Sequence, residues 1–295
     1  MLQSNEISSA FPFESHFIPI QGSKIHYLDE GSGDPILFLH GVPASNYIWR
    51  NIIPFVSHCG RCIAPDLIGF GKSDKPNIHY SVFDHVKYLT KFIKTLKLKN
   101  ITLVMHGWGS VPGFHYAMKH EKNIKSLVFL ESHLRPESSF ENAPLPLQHL
   151  SMAAKTLDDN FQLVSDHQDL FNKLLHGAVT RSLSEEERQY YHAPFSSIEF
   201  YQPLFQYLKE LPVGEGVPRV NKLINNYSKK LMQSDVPKLM FYTIPGFNTS
   251  VDTILWAKDH IKNLSLVDLG EELHFVQESN PALLGKRLAD WCSQF

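Results

Sequence analysis

Residues 101–110, which read ITLVMHGWGS, decide the fold. The apolar run Ile101 to Met105 is typical of a buried strand, and a helical pattern from Phe114 to His120 follows after a glycine-rich turn. A strand, a sharp turn and a helix, with a small residue two places after the apex of the turn, is the layout of a nucleophile elbow. Such an elbow normally exposes Ser, Asp or Cys at its apex, but the apex of this sequence is Gly107.

Similar apolar runs recur on both sides of this elbow. They are rich in Ile, Leu, Val and Phe, which is typical of parallel strands covered on both faces. They span Ile36–Leu39, Arg61–Ala64, Ser126–Leu130, Lys238–Tyr242 and Leu264–Val267. Amphipathic helical patterns such as Val82–Leu96 separate them. This alternation predicts a doubly wound α/β fold with a mostly parallel central sheet flanked by helices.

The alternation is interrupted once, between about Arg135 and Gln233. We therefore expect a core domain of residues 1–134 and 234–295, and an inserted helical cap domain of residues 135–233. The helical patterns in this stretch are Leu147–Lys155, Leu170–Leu175 and Ser184–Tyr191. A cap there would cover the carboxyl edge of the strands, where open α/β sheets bind ligands, so we expect a lidded, apolar pocket.

Composition excludes several classes of function. The chain has 295 residues, 43% of them hydrophobic and 20% charged, and a formal net charge of −2. Because the 28 Lys and Arg residues are spread along the chain, we expect binding neither to nucleic acid nor to a membrane surface. No apolar run approaches the roughly 20 residues of a bilayer span, and Met1–Ala10 lacks the pattern of a secretion signal. We expect a cytoplasmic protein that binds a small apolar molecule.

The three cysteines indicate neither a disulfide framework nor a metal site. Cys59 and Cys62 form a C-x-x-C pair, but Cys62 begins a predicted strand and no second pair completes a zinc site. The sixteen histidines include no H-E-x-x-H motif. We therefore expect no metal and no organic cofactor.

Two polar residues follow the elbow in the chain order of a catalytic triad. Glu131 stands at the end of a predicted strand, and His274 lies in the loop after the last one. A carboxylate on one ring nitrogen would fix the tautomer of His274 and make it a usable base near neutral pH. The other interpretation is that both are isolated polar residues.

Backbone groups beside the elbow are candidates for an oxyanion hole. Val42 follows the strand Ile36–Leu39 in the turn that usually supplies one N–H, and Trp108, after the apex, supplies the second. Neither donor depends on the side chain at position 107. Ser110 lies one helical turn beyond the apex, so we expect it to pack or to cap the backbone and not to replace the nucleophile.

The chain resembles the haloalkane dehalogenases of the α/β-hydrolase superfamily over nearly its whole length. The resemblance implies the α/β-hydrolase fold, and its long matching runs are specific for the family but not for its activity. These runs are Phe11–Phe13, Tyr47–Pro54, Arg61–Pro76, Pro194–Phe195, Glu210–Pro212 and Leu273–Pro281.

The resemblance also implies roles for single positions. Family members use an Asp at the elbow to displace halide as an alkyl-enzyme ester, a His to activate the hydrolytic water and a Glu to orient that His, while a Trp and an Asn hold the halide. Glu131, His274 and Trp108 match these roles. Gly107 replaces the nucleophile, and Val42 replaces the halide-binding Asn.

These two departures predict that the chain is not a dehalogenase. Loss of a nucleophile costs about 10⁴ to 10⁶ in rate. We therefore predict an enzyme in which His274, oriented by Glu131, is a general base in a pocket lined by Gly107, Trp108 and Val42. Proton abstraction, cyclisation or elimination, cofactor-free oxygenation and direct attack by water all fit this set. The alternatives are a catalytically silent ligand-binding protein and a residual haloalkane dehalogenase.

Overall fold

The computed structural model describes residues 7–136, 139–157, 171–214 and 216–294. An eight-stranded sheet with the order β1-β2-β4-β3-β5-β6-β7-β8 forms the centre of the molecule. Its strands are β1 (His16–Ile20), β2 (Ser23–Glu30), β3 (Pro35–Leu39), β4 (Arg61–Pro65), β5 (Ile101–His106), β6 (Ile124–Leu130), β7 (Lys238–Tyr242) and β8 (Leu264–Asp268).

The sheet is mostly parallel, which confirms the predicted architecture. β3 pairs in parallel with β4 and β5, and β5, β6, β7 and β8 continue the parallel order. All six predicted strands are present within two residues of their expected bounds. β1 and β2 were not predicted; β2 pairs antiparallel with both β1 and β4. β1 lies at the sheet edge, where alternate side chains such as Phe17 are exposed, so it lacks the continuous apolar run of a covered strand.

Helices cover the two faces of the sheet. They are α1 (Ile53–Val56), α2 (Val82–Thr95), α3 (Ser110–Lys119), α4 (Leu145–Leu157), α5 (Glu185–His192), α6 (Gln202–Lys209), α7 (Pro218–Gln233), α8 (Val251–His260), α9 (Val276–Ser279) and α10 (Pro281–Cys292). A capping box of Ser81 and Asp84 begins α2 close to its predicted start. α3 begins four residues before its predicted start at Phe114, because a 3-10 turn over Gly107–Gly109 leads directly into it.

The described residues between β6 and β7 contain helices and no strand, as expected. α4 contains the predicted segment Leu147–Lys155, and α5 overlaps the predicted segment Ser184–Tyr191. Residues 171–176 are helical, whereas residue 170 lies outside the described residues. α6 and α7 were not predicted. The division into a core and a cap domain stays a prediction. Within the described ranges, no helix has both the length and the apolar character to cross a membrane.

A buried ion network joins the helical segment around α5 to the end of the chain that carries His274. Arg50 Nη1 lies 2.5 Å from Glu278 Oε1, and Arg50 Nη2 lies 2.8 Å from Glu187 Oε1. Arg181 donates to the same two carboxylates, at 2.6 Å and 3.0 Å. Two positive charges face two negative charges, so the network is neutral as a whole; Arg181 is partly exposed, and the other three side chains are buried. It ties α5 to α9, which begins two residues after His274.

Candidate active site

Gly107 forms the apex of the turn between β5 and α3, with a φ of +51°. Glycine adopts this left-handed conformation with little penalty because it has no Cβ. A Cβ built on Gly107 would lie 3.0 Å from His274 Nε2 and 3.4 Å from Gly41 Cα. The imidazole therefore faces the volume directly above the apex, which a side chain at this position would enter.

Glu131 and His274 meet as the sequence predicts. His274 Nδ1 lies 3.0 Å from Glu131 Oε2, and both side chains are buried. The same carboxylate oxygen accepts hydrogen bonds from the backbone N–H groups of Phe247 at 2.9 Å and Asn248 at 2.7 Å. These donors follow β7, so the ends of two neighbouring strands fix the carboxylate that orients the imidazole.

Burial controls the protonation of this pair. It raises the pKa of Glu131 to about 7, although backbone hydrogen bonds from Asn248, Phe247 and Thr249 lower it. It lowers the pKa of His274 to about 3. At neutral pH and above, a neutral imidazole therefore donates its Nδ1–H to a carboxylate, which leaves the lone pair on Nε2. No described residue hydrogen-bonds Nε2, so this atom is free to accept a proton from a bound molecule.

His106 holds the loop that carries His274 and packs against its ring. Its Nε2–H donates to the backbone carbonyl of His274 at 3.0 Å, and the two ring centroids lie 4.3 Å apart. Burial keeps the pKa of His106 well below its ordinary value, so its ring stays neutral. Sequence reasoning missed this contact, because the partner is a main-chain atom 168 residues away.

The two backbone donors predicted for an oxyanion hole are the N–H groups of Val42 and Trp108. Within the part of the chain that the structure describes, nothing accepts a hydrogen bond from the N–H of Val42 or of Trp108. Ser110, by contrast, is fully engaged. Its Oγ donates to the Gly107 carbonyl at 2.6 Å and accepts the N–H of His133 at 3.1 Å. Ser110 therefore stabilises the backbone of the elbow, because both of these hydrogen bonds join its hydroxyl to backbone atoms.

Two polar aromatic residues that the sequence did not indicate pack against Trp108. The rings of His133 and Tyr207 meet its indole edge to face, with centroids 5.7 Å and 5.1 Å away. Both are buried, and His133 Nε2 has no hydrogen-bond partner among the described residues. Burial lowers the pKa of His133 to about 3, so it is a neutral donor and acceptor. In the sequence, the one feature that could have indicated His133 as a site residue is its position two residues after Glu131.

The described residues contain no group of three His, Cys, Asp or Glu side chains arranged around a metal ion. The three cysteines are free thiols, and burial raises the pKa of Cys62 far above its ordinary value. Cys62 is therefore a poor nucleophile.

Comparison with known proteins identifies the class and then the family. The family model described as "alpha/beta hydrolase fold" matches residues 34–281, so the chain is an α/β-hydrolase-fold protein. A haloalkane dehalogenase of Mesorhizobium japonicum is 36% identical over 278 residues, which cover 93% of this chain and 89% of the relative. One of Bradyrhizobium diazoefficiens is 32% identical, with 97% and 96% covered. The chain belongs to the haloalkane dehalogenase family, as its sequence motifs indicate.

Solved structures agree with this assignment. The crystal structure of an ancestral haloalkane dehalogenase superposes with a TM-score of 0.87 at 33% identity, covering 95% of this chain and 98% of that one. The haloalkane dehalogenase of Bradyrhizobium elkani superposes with a TM-score of 0.88 at 31% identity, covering 96% and 98%.

Proposed function

We propose that this chain is a haloalkane-dehalogenase-like enzyme without a covalent nucleophile, which applies general-base chemistry to a small apolar substrate. The observation that carries the proposal is the 3.0 Å between His274 Nε2 and the position that a Cβ on Gly107 would occupy. The base thus faces the volume from which a family nucleophile would act. With only hydrogen on the apex, no side chain of the elbow separates Nε2 from a bound substrate.

In the proposed reaction, His274 Nε2 removes a proton from the substrate or from a water molecule bound above Gly107. Glu131 stabilises the imidazolium that forms, because its carboxylate accepts the Nδ1–H. The N–H groups of Val42 and Trp108 stabilise the oxyanion or enolate. This set suits proton abstraction beside a carbonyl, cyclisation or elimination, and direct attack by water.

Loss of dehalogenation follows from the same geometry. Ester formation needs a nucleophile at the elbow, and the nearest hydroxyl, that of Ser110, already donates to the Gly107 carbonyl. With Val42 at position 42, a departing halide would also lack one of its two donors, at a cost of about 2–4 kcal/mol by analogy with an oxyanion hole.

Deuterium exchange tests the general base without knowledge of the natural substrate. Acetophenone in D₂O, followed by NMR, reports abstraction of its methyl protons beside the carbonyl. We expect exchange above the buffer rate, its loss in His274→Gln, and its retention in His260→Gln, an exposed histidine at the end of α8. Exchange no faster than in buffer, or unchanged in His274→Gln, would contradict the proposal. Saturable binding of acetophenone without exchange would support a silent ligand-binding protein.

Residual dehalogenation is the second candidate, and the names of the relatives favour it. Bromide release from 1-bromobutane separates the two. We expect release from the double variant Gly107→Asp with Val42→Asn, once His274 gives by a few tenths of an ångström, and none above background from the chain itself. Comparable rates from both proteins would establish the dehalogenase.

A further inference from the structure

A second hydrogen-bonded series of serine, histidine and aspartate lies at the antiparallel side of the sheet. Ser15 Oγ is 3.0 Å from His26 Nε2, and His26 Nδ1 is 2.7 Å from Asp66 Oδ2. Ser15 directly precedes β1, His26 lies on β2, and Asp66 directly follows β4. The antiparallel pairing of β2 with β1 and β4 brings the three together, and none of them belongs to the candidate active site.

The surroundings of Asp66 determine which atom donates in each hydrogen bond. Its two oxygens accept the backbone N–H groups of Asn46 at 2.7 Å and Lys72 at 2.8 Å. Burial raises the pKa of Asp66, but the hydrogen bonds from His26 and from the backbone N–H of Asn46 lower it by a larger amount. The pKa of Asp66 therefore lies below its ordinary value. An ionised carboxylate only accepts, so His26 Nδ1 carries the proton. The lone pair on Nε2 then accepts the O–H of Ser15.

Lys72 adds a positive charge at the same oxygen. Its Nζ donates to Ser15 Oγ at 3.1 Å. Ser15 Oγ therefore has a base to receive its proton and an ammonium to stabilise the negative charge left behind. These are the two conditions that activate a serine as a nucleophile.

Accessibility restricts what this serine can react with. Ser15 is partly exposed, whereas His26 is fully buried, and the ring of Phe17, 52% exposed, packs 5.1 Å from the imidazole. A reagent can reach Oγ, but its leaving group cannot reach Nε2 to collect a proton. Only leaving groups that depart as stable anions are suitable. The exposed ring of Phe17 offers an apolar surface for the rest of the reagent.

We propose that Ser15 is an activated nucleophile and a covalent modification site for activated acyl and phosphonyl compounds, such as aryl esters and fluorophosphonates. With a fluorophosphonate, a bond forms between Ser15 Oγ and phosphorus, and the P–F bond breaks. Fluoride leaves with the bonding electron pair, and the Ser15 proton passes to His26 Nε2. The proton stays on the imidazolium, which the Asp66 carboxylate stabilises.

Time-resolved labelling of the intact protein with a fluorophosphonate, followed by peptide mass spectrometry, tests the proposal. Ser9 is the internal control, because its Oγ lies 2.6 Å from a carboxylate oxygen of Glu186 and not against a histidine. We expect Ser15 to react at least about a hundredfold faster than Ser9, the usual contribution of a positioned base. No adduct at Ser15, or a rate equal to that at Ser9, would overturn the proposal.

Two variants test the activating groups. His26→Asn should lower the Ser15 rate about a hundredfold, since it removes the base. His26 is buried, so His26→Asn could lower the rate through a folding defect alone. Lys72→Met avoids this problem, because it changes an exposed side chain and keeps an apolar side chain near Phe11. Lys72→Met should lower the rate at least about fivefold through the lost charge. An unchanged rate in a folded Lys72→Met protein would show that Ser15 is not activated as proposed.

Discussion

The substitution Glu131→Gln should remove part of the pH dependence of the free energy of unfolding. The pKa of Glu131 in the folded protein is about 7, above its ordinary value of 4.5, because the carboxylate is buried. The folded state therefore binds this proton more tightly than the unfolded state does. Protonation contributes stability that is fully present below pH 4.5 and is lost as the pH rises through about 7. Glutamine cannot ionise, so the variant lacks this loss.

The magnitude follows from the two pKa values. Ionisation of Glu131 costs the folded state about 3 kcal/mol at pH 8 and about 1 kcal/mol at pH 5. The stability of Glu131→Gln relative to the parent should therefore rise by about 2 kcal/mol between pH 5 and pH 8. Burial lowers the pKa of His274 to about 3, and loss of the neighbouring carboxylate does not raise it, so the folded imidazole is neutral in both proteins from pH 5 to pH 8 and its contribution cancels in the difference.

Equilibrium unfolding in guanidinium chloride at pH 5 and pH 8, followed by tryptophan fluorescence, measures this change. Glu141→Gln, which removes an exposed carboxylate, controls for the loss of one acidic group from the chain. A stability difference that stays constant with pH would refute the reasoning. A difference that moves in favour of the parent at pH 8 would refute it as well, since it would mean that the folded state stabilises the carboxylate.

The remaining predictions concern the same site and its support. Below about pH 7, protonated Glu131 would donate to Nδ1 and move the ring proton to Nε2, so the rate of acetophenone exchange should fall with decreasing pH, as a pH–rate profile will show. Gly107→Ala should cost about 1–2 kcal/mol at a φ of +51° and lower exchange at least about tenfold, because its Cβ presses on His274. Gly22→Ala, at a φ of +84° with nothing within 4 Å of its Cβ, is the matched control and should lose stability but not exchange. Glu278→Gln should destabilise the protein by about 1–3 kcal/mol, measured by denaturant unfolding, since buried Arg50 keeps Glu187 but loses its second carboxylate partner.

The sequence predicted those parts of the fold that have a local signal. Strands covered on both faces are continuous apolar runs, so all six parallel strands could be found, whereas the edge strand β1 alternates exposed and partly buried side chains and was missed. α6 was not predicted, although its buried side chains lie at helical spacing. Its Pro203 does not argue against a helix, because it stands in the first turn, where proline is tolerated.

The residues of the candidate site also divide into those that have a local sequence signal and those that have none. Gly107 and Glu131 stand at strand ends and His274 lies in the loop after the last strand, in a recognisable chain order, so their meeting could be predicted from the chain alone. His106, His133 and Tyr207 have no such order. Their contacts depend on how the ends of β5, β6 and α6 pack around Trp108 and His274, which no local pattern encodes.

The energetic cost of Glu131 favours a base over a silent binding site. At neutral pH and above, the protein holds a buried carboxylate at a cost of up to about 3 kcal/mol, a large share of the stability of a typical protein. Backbone N–H groups from residues 247–249 are directed at that carboxylate, and among the described residues its one side-chain hydrogen-bond partner is the imidazole. A pocket that merely binds an apolar molecule gains nothing from this pair, since neither group favours its charged form there. A general base does gain, because Glu131 holds the proton on Nδ1 and stabilises the imidazolium at the moment when His274 accepts a proton.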